Sequence, residues 1–124
     1  MSKYGKHKGR KAPTFLQLRH DMMGSPAWLS LSPRARCVWI VVAGRYNSYN
    51  NGEISLSCRE VCDNLHISKS SATAGFNELI DRGFIKIAQQ SSFTMKTKTA
   101  RRWTLTHESV GKTPPTNEWR KWRA

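Results

Sequence analysis

The chain has 124 residues, of which 38% are hydrophobic, and its 21 Lys and Arg outnumber 8 Asp and Glu for a formal charge of +13. That apolar content supplies one small core and hardly two, and no apolar run approaches the ~18 residues of a membrane span. The charge leaves the fold open but predicts a polyanionic partner.

The cations cluster. Lys3, Lys6, Lys8, Arg10, Lys11 and Arg19 occur before any acid, and Arg82, Lys86, Lys96, Lys98, Arg101 and Arg102 form a second acid-free block over 82–107. Glu53, Glu60, Asp63, Glu78 and Asp81 lie between them, so the middle segment by itself is a poor source of attraction to a polyanion. The start "MSKYGKHKGRKAP" lacks the apolar centre of a secretory leader, and Cys37, Cys58 and Cys62 cannot all pair within one chain. Together these predict a cytoplasmic protein with reduced thiols and no membrane partner.

Residues 1–13 read as a flexible basic arm. "TFLQLRHDMMGSPAWLSL" carries large apolar side chains at Phe15, Leu16, Leu18, Met22, Met23, Trp28 and Leu31 among others, enough to predict that it packs on the domain without fixing its conformation. Ser32 offers a helix cap and Pro33 suits a first helical position, so "RARCVWIVVAGRY" is expected to be a helix, with Cys37, Val38, Ile40, Val41 and Val42 as its apolar set. A strand over "CVWIVV" competes, because β-branched residues are frequent there.

"NSYNNG" reads as a loop and "EISL" as a short single strand. Ser57 and Glu60 have capping-box spacing, which predicts a helix over about 59–65 with Val61, Cys62 and Leu65 inward. "HIS" interrupts it. Ser68 caps a longer helix over about 69–82, closed by Gly83, whose inner face is Ala72, Phe76, Leu79 and Ile80. Gly75 inside that helix predicts a close backbone approach. "FIKIAQQ" and "ARRWTLT" then suggest a two-stranded ribbon with a basic tip, Trp103 and Leu105 on one face and Arg102 and Thr104 on the other. Residues 109–124 contain a Pro-Pro break and the pair Trp119 and Trp122, and read as a C-terminal arm or short docked helix. The tryptophans fit docking on the core, a homodimer contact, contact with a protein partner, or stacking on bases.

This order of elements over about 31–106 resembles the winged helix-turn-helix family. It is also similar to the amino-terminal domains of phage and plasmid replication initiators, through "ISLSCREVCDNLHISKSSATAGFNELIDRGFIKI" and the later "RRWTLT". The resemblance implies an α+β, mainly helical winged helix domain over 14–108 with a small antiparallel β wing. It further implies a non-enzymatic, double-stranded DNA-binding protein acting as a transcriptional regulator or replication-origin binder. Carried onto this sequence, Lys69, Ser70, Thr73 and Asn77 face bases, and Ser68, Lys96, Lys98, Arg101 and Arg102 meet the DNA backbone. Lys6, Lys8, Arg10 and Lys11 of the arm are further backbone candidates by their charge.

Other chemistry finds less support. Cys58, Cys62 and His66 are spaced by four, but three ligand types around one short helix, with no second cysteine pair elsewhere, make a poor zinc site. No metal or cofactor is therefore expected. His107 and Glu108 are adjacent without a placed nucleophile, and the middle acids are accounted for by caps and helix surfaces, so no catalytic residues are assigned. The competing functional readings are a phage-type interaction module for an acidic protein or nucleoprotein complex, and an RNA-binding protein.

Overall fold

The computed structural model describes residues 13–89, 92–93, 98–99 and 101–123, with the backbone alone at 89, 92–93 and 98–99. The apolar segment after the arm forms two single-turn helices, α1 (His20–Met23) and α2 (Pro26–Leu29). Ser25 joins them: its hydroxyl donates to the Met22 carbonyl at 2.7 Å and accepts from the Trp28 amide at 3.1 Å. This brings Met22, Ala27, Trp28 and Leu31 into the core. The Trp28 ring meets Trp39 and Phe84 edge-on at 5.5 and 5.6 Å.

Ser32 caps α3 (Pro33–Gly44), with Pro at the first position where its missing N–H costs no hydrogen bond. The helix therefore prevails over the strand alternative. Its buried residues are Ala35, Val38, Trp39, Val42 and Ala43. Cys37 and Ile40, expected in the apolar set, are exposed, Ile40 by 48%. The reason is geometric: α3 packs on the rest of the domain with one side, and its circumference is apolar on two.

β1 (Ile54–Ser55) leads to α4 (Cys58–Leu65). The capping box is complete, with the Glu60 amide donating to Ser57 Oγ at 3.1 Å and the Ser57 amide donating to the Glu60 carboxylate at 2.9 Å. His66 ends α4 in the left-handed conformation, φ 57°, and Ile67 tucks partly into the core as the chain turns. α5 (Lys69–Asp81) starts at the Ser68 cap, whose hydroxyl accepts from the Ser71 amide at 3.1 Å. Ala72, Gly75, Phe76 and Leu79 are buried, while Ile80 is half-buried. Gly83 closes the turn at φ +83°, a conformation that side-chain-bearing residues rarely adopt.

The chain continues through β2 (Ile85–Gln89), β3 (Ser92–Phe93), β4 (Lys98–Thr99) and β5 (Arg102–Leu105). β3 and β4 pair separately, but the main sheet is three-stranded and antiparallel, in the order β1-β5-β2. The expected two-stranded ribbon thus gains β1, because β5 has a second edge to satisfy and Ile54 and Ser55 pair opposite Trp103 and Arg102. Leu56 extends this link: its carbonyl accepts from the Trp103 indole at 3.0 Å. Trp103 and Leu105 are buried on the face toward the helices, and the Trp103 ring stacks on Phe76 at 4.6 Å.

Buried Asn51 fastens the loop before β1 to the end of β5. Its Oδ1 accepts from the Leu105 amide at 2.7 Å, and its Nδ2 donates to the Leu105 carbonyl at 2.9 Å. The last segment forms a 3-10 helix, Glu118–Lys121, and buries Trp119 to 3% exposure against Phe84, ring centroids 6.2 Å apart. Glu118 receives Lys86 at 2.8 Å. Trp119 is therefore taken up by the chain's own core, which withdraws it from the pair offered to a protein partner. Trp122 stays half-buried beside the Arg82 guanidinium, 4.9 Å from its ring. The described residues make an α+β arrangement of five α-helices around this small sheet, and none of their helices is long and apolar enough to cross a membrane.

Candidate nucleic-acid interface

α5 is held from behind. Ala72, Phe76 and Leu79 enter the core, and at Gly75 an added Cβ would stand 2.7 Å from Val38 Cγ2 of α3. This contact fixes the rotation of α5 and leaves Ser68, Lys69, Ser70, Thr73 and Asn77 exposed along one side. Positions 70, 73 and 77 recur at helical intervals, with Lys69 one turn before Thr73. Ser68 and Ser70 hydroxyls lie 3.1 Å apart at the first turn, beside backbone amides suited to an anion.

α4 braces that turn from the side. Cys58 Sγ lies 3.8 Å from the Lys69 carbonyl oxygen and 3.6 Å from Thr73 Oγ1. Thr73 is thus exposed but already oriented by a neighbour, which lowers the ordering cost of a new contact. Arg59, next to Cys58, is exposed in the first turn of α4 and forms no ion pair among the described residues. The sequence reading passed over it. Its signal was available, since a cation in a first helical turn opposes the helix dipole and gains nothing locally.

Of the four residues assigned by resemblance to a wing, Arg101 and Arg102 divide between two faces. Arg101 lies with its guanidinium 5.4 Å from the Trp103 ring, on the sheet face that meets α5 through Phe76. Half-exposed Arg102 alternates with buried Trp103 and so takes the opposite face. The structure therefore brings Arg101 nearer to α5 and does not group Arg102 with it. Two other cations of the 82–107 block are engaged internally, Lys86 with Glu118 and Arg82 with Asp81 at 3.2 Å and the Ser30 hydroxyl at 2.8 Å. Lys98 is described in backbone only, opposite Phe93. Lys6, Lys8, Arg10, Lys11 and Lys96 lie outside the described residues.

The remaining titratable groups are arranged structurally. His107 is buried, with Nε2 3.5 Å from a Glu108 carboxylate oxygen. Burial, reinforced by Arg19 and opposed by Asp21, pushes its pKa down to about 4, so the ring is neutral near ~pH 7. Tyr46 donates to Glu108 at 3.4 Å. Cys58, Cys62 and His66 do not assemble into a metal site: among the described residues no three His, Cys, Asp or Glu side chains could hold an ion. No protein-family model matches the chain, and neither a curated protein nor a solved structure matches it.

Proposed function

We propose that this chain is a winged helix-turn-helix protein that binds double-stranded DNA, as a transcriptional regulator or replication-origin binder. The supporting observation is the exposed side of α5, where Lys69, Ser70, Thr73 and Asn77 stand in line on a helix whose opposite side is locked against α3 and β5. In this reading α5 enters the major groove, which admits one α-helix and presents donors and acceptors to Asn77, Thr73 and Lys69. Ser68, Arg59 and Arg101 meet phosphates, joined by the basic wing tip and arm. Phosphate contacts supply most of the affinity and α5 supplies modest discrimination, since no arginine stands on its exposed side.

Anisotropy titrations with random duplex DNA, then with sites enriched by selection, over a salt series, test the reading. The expected result is binding that weakens steeply with salt, with Arg101→Ala and Arg59→Ala each flattening the logarithmic salt slope by about one unit. Asn77→Ala is expected to weaken selected sites more than random DNA. Failure to bind either kind of duplex at low salt rules the proposal out.

A further inference from the structure

α3 carries a second apolar side that the described residues leave uncovered. At about 100° per residue, Pro33, Cys37, Ile40 and Gly44 fall opposite the buried side, and all four are exposed. Their spacing is that of a seam for another helix. Among the described residues nothing lies within 4 Å of where a Gly44 Cβ would stand, so a partner backbone can approach closely there. Beyond Gly44 the seam opens into a cleft of about 860 Å³ lined on its far side by the extended segment bearing Phe15 and Leu16. Phe15 is 80% exposed.

The charges beside the seam select the partner. Arg34 and Arg45 flank one edge and Arg36 the other, and α3 has no acidic residue. Arg36 donates through one terminal nitrogen to the Trp28 and Leu29 carbonyls at 3.1 and 3.2 Å, while its buried Nε has no partner among the described residues, and no acid neutralises its charge there. Arg34 stands 3.9 Å from Glu78, whose two carboxylate oxygens already accept from Ser32, while Arg45 pairs with Glu60 at 3.2 Å. Arg36 is the one of the three with no acid beside it among the described residues. A second copy of this face, whose helix has no acid of its own, would add like charge to it, whereas a partner with acidic edges would pair it.

We infer that the outer side of α3 docks an amphipathic helix of another protein, with an apolar stripe seated on Cys37, Ile40 and Gly44 and Asp or Glu along its edges. The stripe lies across α3 from the core side that holds α5, so this partner and the exposed side of α5 are engaged independently.

A labelled synthetic helical peptide with leucines at seam spacing and glutamates on both flanks is the probe, and a scrambled peptide of the same composition is the control for general attraction to a basic protein. Saturable binding of the amphipathic peptide is expected, with at least about a tenfold loss for Ile40→Glu and much weaker binding of the scrambled peptide. Cys37→Glu, on the same stripe, serves if Ile40→Glu does not fold. Equal binding of both peptides, no binding of either, or unchanged affinity in a folded variant overturns the inference. So does sedimentation showing a wild-type dimer that Ile40→Glu converts to monomer, since the stripe would then be occupied by a second copy.

Discussion

At Gly75 α5 packs against Val38 and Ala35 of α3, and its hydrogen leaves the space that Val38 fills. An alanine would bring Cβ within 2.7 Å of Val38 Cγ2 and 3.4 Å of Val38 Cβ, and a β-branched side chain packed in a core has no free rotamer to yield. Helix propensity alone favours alanine by about 1 kcal/mol, but overpacking costs about 1–3 kcal/mol. Gly75→Ala is therefore expected to lower stability in urea titrations, whereas Gly44→Ala, in open space, should leave it equal or slightly raised. His107 gives a second test at this scale. Its unfolded pKa is near 6.5 and its folded value about 4, so the unfolded chain takes up the proton first on acidification. The stability of the neutral buried ring is full above pH 6.5 and is lost as pH falls toward about 4, an effect of about 2–3 kcal/mol. His107→Phe, which can retain packing against Trp39, should flatten that limb of a denaturation series without abolishing the acid loss due to carboxylates.

Among the elements, the serine caps of α3, α4 and α5 were legible because each closes through hydrogen bonds within a few residues of its own helix. Ser32 does more than cap. Its hydroxyl accepts from the Ala35 amide at 3.2 Å and donates to Glu78 at 2.7 Å, while its amide donates to the other Glu78 oxygen at 2.9 Å. One residue thereby joins the start of α3 to the end of α5. For the Glu78 carboxyl, burial raises the pKa, but the Ser32 hydrogen bonds together with Arg82 and Arg34 outweigh it and hold the value below the ordinary one. This contribution is present above the unfolded pKa and lost as pH falls through the folded one. Ser32→Ala should cost about 2–3 kcal/mol against about 1 kcal/mol for Ser68→Ala, which loses a cap and an exposed contact with the Ser70 hydroxyl. Equal losses in thermal melts would remove the role assigned to the Glu78 link. The sequence carried no sign of it, since the partners stand 46 positions apart.

Across the whole molecule, the C-terminal segment ties the first helices to the sheet. Trp119 stacks on Phe84, and Arg19 and Arg120 lie 5.8 and 5.1 Å from its ring. Asp21 receives Arg19 at 2.6 Å and stands 3.5 Å from Arg120. Gly83 permits this closure from below, since a Cβ there would meet the Glu118 carbonyl carbon at 2.7 Å and the Trp119 amide at 2.8 Å. Trp119→Ala is expected to cost about 3–5 kcal/mol, and Trp122→Ala, only half-buried, distinctly less. Denaturant titration gives the ranking, and limited proteolysis should find cleavage after residue 109 accelerated in the first variant. The same docking decides which surfaces remain for partners, because it consumes one of the two terminal tryptophans and, through Glu118, one cation of the second basic block, Lys86.

The sequence by itself determined what short-range chemistry controls: where α3, α4 and α5 begin, the left-handed glycine after α5, the inner face of α5 and the alternation of β5. It also carried the excess positive charge, the ground on which a polyanionic partner is proposed without any fold. Only the tertiary structure decided which side of α3 is buried, that β1 completes the sheet, that Trp119 belongs to the core, and that Arg101 and Arg102 take opposite faces. Those outcomes depend on backbone edges and ring faces supplied from tens of residues away, and an apolar residue such as Ile40 carries no mark of which neighbour will reach it first.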